Sequence, residues 1–194
     1  LLFVGALAFF SLYWRIGFLI NDNVAIANGL YNAAAGHLRV TEIVYGPASG
    51  EVMGMVAGRN GRYSRNVGQI VATLPVFWIL DGVSRVADLR IVLISLWSGT
   101  ILGGGVLLGR ITDRDRLCQV VAVAGAIVLF TINLSTATEL EHRWIALLAL
   151  QLTSGAAAAL TGVMVYRLIG RLHDGRAGLV AGACVILATP IGFW

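Results

Sequence analysis

The stretch that decides the fold runs from Leu89 to Leu108 and reads LRIVLISLWSGTILGGGVLL. Arg90 is its only charged residue. A bilayer core of about 30 Å requires about 20 mostly apolar residues in a helix. The stretch therefore predicts a membrane-spanning α-helix, and further apolar runs lie on both sides of it.

These runs extend the prediction to a multi-span protein. We predict membrane spans at about residues 1–20, 89–108, 117–134, 144–168 and 177–194. The composition agrees, because 58% of the residues are hydrophobic and only 12% are charged, about half the charged share of a soluble domain. We therefore predict an all-α integral membrane fold: a multi-span helical bundle whose large first outer loop, residues 21–88, contains interfacial helices.

The chain begins without Met and ends inside an apolar run, at Phe193 and Trp194. We expect residues 1–194 to form a single transmembrane domain within a longer chain. The first run lacks a basic n-region and a small-residue cleavage site, which favours a membrane anchor over a signal peptide.

Charge in the short loops predicts the orientation. The loop from Arg110 to Arg116 contains three arginines, and the segment from Arg167 to Arg176 contains three more. The intervening loop, residues 135–143, contains one arginine and two glutamates. Because arginine-rich loops face the cytoplasm, we predict a cytoplasmic N-terminus in the cell membrane, with residues 21–88 and 135–143 outside.

The first outer loop contains signals for two helices. Residues 22–35 predict a helix that Asn21 or Asp22 can cap and that Gly36 ends. Residues 67–80 predict a second, apolar helix of about 14 residues that contains Pro75. Apolar runs of that length are more often interfacial than spanning, so we predict an interfacial helix.

Between these helices, the alternation and β-branched residues of segment 38–45 (LRVTEIVY) predict a short strand. Asn60 and Gly61 predict a turn.

Several functional classes are excluded or disfavoured. All 14 basic residues are arginine, so this stretch supplies no Schiff-base or P-loop lysine. The arginines are scattered, which argues against a nucleic-acid partner. Cys118 and Cys184 have no metal-type spacing, and we predict no metal site from sequence motifs. The predicted spans have few ionisable residues, which disfavours a transporter.

Small residues recur at four-residue spacing in two spans. They are the pairs Gly99/Gly103 and Gly105/Gly109 in and just after the second span, and Ser154, Ala158 and Gly162 in the fourth. Small residues let membrane helices approach closely. Packing within the bundle is favoured over a dedicated oligomer face.

Asp22 is the candidate catalytic residue, because it follows the first predicted span directly. A carboxylate at the membrane–water boundary can act as a general base or a metal ligand. Its structural alternative is an N-cap with a favourable helix-dipole interaction.

The candidate phosphate-binding residues follow the predicted turn: Arg59, Arg62, Tyr63, Ser64 and Arg65. Guanidinium groups bind phosphate oxygens through paired hydrogen bonds. The alternative is attraction to lipid headgroups or simple solvation. His37 and Glu42 have no partners at a diagnostic spacing, so we interpret them as exposed polar side chains.

The order of these features resembles the first outer loop of GT-C superfamily membrane glycosyltransferases. The likeness is to the dolichyl-phosphate-mannose mannosyltransferase and aminoarabinose transferase type. It rests on the Asp after the first span, a helix ending in Ala-Gly-His, and the run Asn60 to Gln69 (NGRYSRNVGQ) leading into Leu74-Pro75. Residues 20–80 carry the likeness, and the remainder shares only a hydropathy pattern.

The resemblance implies an enzyme that moves a sugar from a polyprenyl-phosphate donor to an acceptor on the outer face. Asp22 would then be the catalytic carboxylate, and residues 62–65 would lie near the donor phosphate. The second acidic residue of the family motif is here Asn23, and its Tyr-Pro-Pro-Gly is here Asn66-Val67-Gly68.

Cofactor and partners follow from the same hypothesis. A divalent metal is compatible with the chemistry. Expected partners are membrane lipids, the polyprenyl-phosphate sugar and other membrane subunits. The alternative function is a non-enzymatic membrane scaffold that binds lipids or other membrane chains.

Overall fold

The computed structural model describes residues 3, 6, 21–46, 55–64, 66–136 and 141–188. These residues form a mostly helical chain with one small hairpin. In order, the elements are α1 (Asn21–Ala34), β1 (Met55–Gly58), β2 (Gly61–Ser64), α2 (Val67–Ser84), α3 (Leu89–Thr112), α4 (Asp115–Thr136), a 3₁₀ turn (His142–Trp144), α5 (Ile145–Leu172) and α6 (Gly175–Ala188).

Among the described residues, four helices are long and apolar enough to cross a membrane. They are Val67–Ser84, Leu89–Val106, Asp115–Thr136 and His142–Leu172. Leu89–Val106 lies within the predicted span at 89–108, and the last two contain the predicted spans at 117–134 and 144–168 and extend beyond them at both ends. The predicted first span lies outside the described residues, except that Phe3 and Ala6 are helical, and the predicted fifth span is described as far as residue 188.

Helix α2 is longer than predicted. It has 18 residues and ends at Ser84, four residues beyond the predicted end. Asp81 continues the helix, and its Oδ2 accepts a hydrogen bond from Arg85 Nη2 one turn later, at 2.6 Å. Pro75 lies inside the helix, which continues through it. Its length and composition now make α2 a candidate span, and its interfacial placement stays a prediction.

Helix α1 matches the prediction for residues 22–35. Gly36 follows it with φ +86°, a conformation that glycine adopts without strain. The amide of His37 then donates to the carbonyl of Asn32 at 2.9 Å, which closes the end of the helix. The middle of α1 is buried on every side, including the side chains of Asn28 and Asn32.

The strand predicted at residues 38–45 is wrong. The segment is extended, but it forms only an isolated bridge between Val40 and Arg62. Apart from this bridge to β2, its backbone groups bond to side chains of α1. The amides of Thr41 and Glu42 donate to Asn32 Oδ1 at 2.9 and 3.0 Å. Alternation of residue types along a sequence does not show whether the backbone groups bond to another strand or to the side chains of a helix.

The hairpin supplies the strands that are present. Strands β1 and β2 pair antiparallel, with Ala57 opposite Arg62 and Gly58 opposite Gly61. The predicted turn at Asn60 and Gly61 is confirmed, and Gly61 has φ +137°. The strands themselves were not predicted, because their glycines and alanine have weak strand preference.

Helices α3 and α4 form one antiparallel pair. Asp88 caps α3 by accepting a hydrogen bond from the amide of Arg90 at 2.9 Å. Close approach occurs where α3 has no side chain: a Cβ on Gly105 would lie 2.1 Å from the Cβ of Ala122. Gly99 and Gly103 meet no atom within 4 Å among the described residues.

Helices α5 and α6 form the second pair, and Gly162 of α5 packs against Ile186 of α6. The first half of α5 instead contacts α1 and α2. There α2 runs antiparallel to α5. Gln69, near the start of α2, donates to Ser154 at 3.3 Å, whereas Asp81, near its end, lies 3.5 Å from His142.

Candidate functional site

The predicted catalytic residue lies in α1. Asp22 is the second residue of the described helix, whose buried side packs against α2 and α5. The Asp22 side chain and the whole of Arg65 lie outside the described part of the structure. Their predicted roles, as general base and phosphate ligand, therefore stay predictions.

The structure divides the predicted phosphate-binding run between two faces of the hairpin. Successive residues of a strand point to opposite faces. Arg62 and Ser64 therefore share one face of β2, and Tyr63 lies on the other. Arg59 lies in the turn and is exposed, as is Arg62. The predicted phosphate-binding residues therefore do not all lie on one face of the hairpin.

Ser64 joins the hairpin to α1. Its side chain is buried, with 6% exposure. A Cβ placed on Gly29 would lie 2.6 Å from the Cβ of Ser64 and 2.6 Å from Cδ1 of Ile70. Only glycine permits this approach, so the end of β2 and the start of α2 both rest on the middle of α1. Ser64 thus positions the hairpin by packing.

On the opposite face of the hairpin, two side chains lie directly over glycine residues. Gly58 and Gly61 are paired across the strands. The ring of Tyr63 covers Gly58, with Cε2 2.7 Å from where a Cβ would lie. The side chain of Arg39 covers Gly61, with Cδ 2.6 Å from the corresponding position. Arg39 and Tyr63 therefore lie on the same face.

Arg39 is the residue that sequence reasoning missed. Its Nη1 donates to the carbonyl of Asn60 in the turn, at 2.9 Å. Arg39 lies 20 positions before Arg59 and in a segment predicted as a strand, so no local spacing links it to the hairpin. The amide of Val40, which donates to the carbonyl of Arg62 at 2.9 Å, brings the two segments together. His37 and Glu42 are exposed, as predicted.

A second polar cluster lies where α2 ends and α5 begins. Asp81 is half-buried, bonds to Arg85 through Oδ2 and faces His142 Nδ1 through Oδ1. Beside it, Arg143 lies over the ring of Trp144 at 5.2 Å and pairs with Glu141 at 2.6 Å. Among these contacts, the one between Asp81 and His142 joins α2 to the 3₁₀ turn.

Tyr45 links this cluster to α1. Its ring centroid lies 6.1 Å from that of Trp144. Burial raises the pKa of Tyr45 above its ordinary value, with a smaller contribution from Tyr31, while Arg143 opposes the shift. The phenol is therefore neutral at physiological pH. At the start of α3, the hydrogen bond from the Arg90 side chain holds the pKa of Asp88 below its usual value.

The described residues also differ from the ligand sets that bind metal ions. In the described part of the chain, no three His, Cys, Asp or Glu side chains are grouped so as to hold an ion. A divalent metal would have to use a carboxylate, such as that of Asp22, together with ligands from outside the described residues.

No protein-family model, curated protein or solved structure matches the chain. A functional proposal for it therefore depends on the residues and on the resemblance in the first outer loop.

Proposed function

We propose that this chain belongs to a membrane glycosyltransferase that moves a sugar from a polyprenyl-phosphate donor to an acceptor on the outer face of the cell membrane. The observation that carries the proposal is the contact between Ser64 and Gly29. It holds the arginine-bearing hairpin on the same helix that presents Asp22. Gly29 lies seven residues after Asp22, about 10 Å along the helix axis.

In the proposed reaction, Asp22 and the arginines of the hairpin have different roles. Asp22 accepts the proton of the acceptor hydroxyl as its oxygen forms a bond to the anomeric carbon of the sugar. The bond from that carbon to the phosphate oxygen breaks, and polyprenyl phosphate leaves. Arginines of the hairpin stabilise the negative charge of the leaving phosphate.

Membrane placement forms part of the same proposal. The chain crosses the membrane several times, with its arginine-rich loops in the cytoplasm and residues 21–88 outside. The contacts of Gln69 with Ser154 and of Asp81 with His142 place α2 beside only the first half of α5. We place α2 at the interface on the charge bias of the short loops, because a full span there would put the arginine-rich loops outside.

The orientation can be tested by cysteine labelling of intact cells. In a variant with Cys118 and Cys184 replaced by Ser, Asn60→Cys should react with a membrane-impermeant maleimide. Asp113→Cys should react only after permeabilisation. The opposite pattern would overturn the proposed orientation.

The function can be tested first by binding. Purified full-length protein is titrated with a polyprenyl-phosphate analogue, in parallel with Asp22→Asn and with Arg62→Ala combined with Arg65→Ala. Binding should survive the Asp22 change and fall with the arginine changes. Sugar transfer should be lost in Asp22→Asn. Wild-type protein that binds no analogue would contradict the proposal.

The alternative is a scaffold that binds lipids or other membrane chains without catalysis. The exposure of Arg59 and Arg62 favours it, since exposed arginines can attract headgroups or partner chains. Normal donor binding with no transfer in wild-type protein, whatever acceptor is supplied, would support the scaffold.

A further inference from the structure

The strongest unassigned feature is the way Arg39 is held on the hairpin. Its aliphatic stem lies over Gly61, where a Cβ would be 2.6 Å from Cδ and 3.1 Å from Cγ. Its Nη1 donates to the carbonyl of Asn60 at 2.9 Å. The guanidinium is therefore fixed at the turn, although the residue as a whole is exposed.

The backbone around Arg39 is fixed as well. Val40 is buried and its amide donates to the carbonyl of Arg62. Thr41 donates to Asn32 Oδ1 through both its amide, at 2.9 Å, and its hydroxyl, at 2.8 Å. Because these hydrogen bonds already hold the backbone next to Arg39 in place, Arg39 would lose little conformational freedom on binding a ligand.

The surroundings of Arg39 indicate the chemistry of that ligand. A guanidinium has five N–H donors, and Asn60 uses one of them. The remaining donors form the planar fork that binds phosphate oxygens in pairs. The ring of Tyr63 lies on the same face, over Gly58, and its hydroxyl supplies a further donor.

The position of the hairpin indicates where such a phosphate would come from. Strand β2 ends at Ser64, and α2, which is apolar enough to cross a membrane, begins at Val67. Val67 and Val71 are exposed on its first turns. An arginine at a bilayer surface can bind the phosphate oxygens of a lipid there.

We propose that Arg39 binds the phosphate group of a membrane lipid on the Tyr63 face of the hairpin. This assigns a binding role to a residue outside the run 59–65. The site lies on the face of β2 opposite Arg62, so its phosphate is separate from the donor phosphate that the proposed function assigns to Arg62 and Arg65. The role of Arg39 therefore does not rest on the proposed function.

The test uses full-length protein in neutral phosphatidylcholine nanodiscs. Three probes are titrated: a polyprenyl monophosphate, phosphatidylglycerol and inorganic phosphate. The key variant is Arg39→Gln, which retains much of the stem and one donor for Asn60 but loses the charge and the fork. Arg85→Ala is the matched control, because it removes an exposed arginine at the other end of α2. Thermal unfolding is measured for each variant.

Arg39→Gln should unfold close to the wild-type temperature and bind the lipid phosphate at least about tenfold more weakly. Arg39→Lys should recover only part of the affinity, because an ammonium group lacks the fork. Arg85→Ala should bind as the wild type does. Inorganic phosphate should bind more weakly than either lipid, since it lacks the anchoring chain.

The outcomes separate this inference from the proposed function. Polyprenyl phosphate and phosphatidylglycerol both bound equally by wild type and Arg39→Gln would overturn the role of Arg39 and leave the glycosyltransferase standing. Phosphatidylglycerol bound alone, and weakened by Arg39→Gln, would support Arg39 and contradict the donor. Equal losses in Arg39→Gln and Arg85→Ala, or no lipid binding by wild type, would overturn the inference.

Discussion

Asn28 and Tyr45 are joined by two hydrogen bonds across 17 positions of the chain. Asn28 Nδ2 donates to the carbonyl of Tyr45 at 2.8 Å, and the amide of Tyr45 donates to Asn28 Oδ1 at 3.0 Å. The same Oδ1 accepts from the amide of Val44 at 2.7 Å. One buried side chain thus replaces a neighbouring strand for this segment.

Replacing Asn28 should therefore destabilise the protein strongly. In Asn28→Ala, the amides of Val44 and Tyr45 and the carbonyl of Tyr45 lose their partners in a buried site. Unsatisfied buried groups cost about 1–3 kcal/mol each, and partial hydration reduces the sum, so we expect a loss of about 2–4 kcal/mol. Chemical unfolding followed by tryptophan fluorescence would measure it.

Asn133→Ala is the matched control. Asn133 lies in α4 and its Nδ2 donates within the helix, to the carbonyl of Leu129 at 2.8 Å. Its removal should change stability by no more than about 0.5 kcal/mol. Equal losses in the two variants would show that Asn28 does not hold the segment.

The approach of the hairpin to α1 can be tested at Gly29. In Gly29→Ala the new methyl would overlap Ser64 and Ile70. Displacing the hairpin should cost about 1–3 kcal/mol, and binding of lipid phosphate should weaken because the hairpin moves. Thermal unfolding and the binding titration would be measured on the same preparation.

The companion variant is Gly68→Ala, at the second residue of α2. Gly68 has no neighbouring atom within 4 Å among the described residues. The change should stabilise the protein by about 0.4–1 kcal/mol, because alanine restricts the unfolded chain. If Gly29→Ala behaved in the same way, the close packing of Ser64 on α1 would be contradicted.

The sequence predicted correctly those helices whose positions depend on the local pattern of residue types. Three long apolar helices and α1 follow from runs of side chains and from a glycine at position 36. The strand prediction for 38–45 failed because the partners of this segment, the side chains of Asn28 and Asn32, lie in a helix 9 to 17 positions earlier in the chain. Arg39 was missed for the same reason. Its position at the hairpin depends on the bridge between Val40 and Arg62, which are distant in the sequence.

The packing of α5 against α6 can be tested at Gly178. A Cβ there would meet backbone atoms, with the carbonyl oxygen of Tyr166 at 2.6 Å and the amide nitrogen of Gly170 at 2.8 Å. Backbone cannot rotate away as a side chain can, so Gly178→Ala should destabilise by about 1–3 kcal/mol. In the same helix, Gly175→Ala meets nothing within 4 Å among the described residues and should change stability by about 0.5 kcal/mol or less. Indistinguishable melting temperatures would rule out this contact.

The buried phenol of Tyr45 predicts a loss of stability at alkaline pH. Burial is the main cause of its raised pKa, above the ordinary value of 10.0. When the folded-state pKa is the higher one, the unfolded chain releases its proton first as pH rises. The contribution is therefore complete below about pH 10 and is lost above it.

Tyr45→Phe isolates this effect, because phenylalanine keeps the ring beside Trp144 and has no proton to lose. Between pH 9 and pH 11 the wild type should lose about 1.4 kcal/mol more of its unfolding free energy than Tyr45→Phe. The other tyrosines titrate in both proteins and cancel in the difference. Denaturant unfolding at the two pH values, followed by tryptophan fluorescence, measures it. Identical pH dependence in the two proteins would show that the Tyr45 phenol ionises as readily in the folded chain as in the unfolded one, and that α1 does not keep it from water.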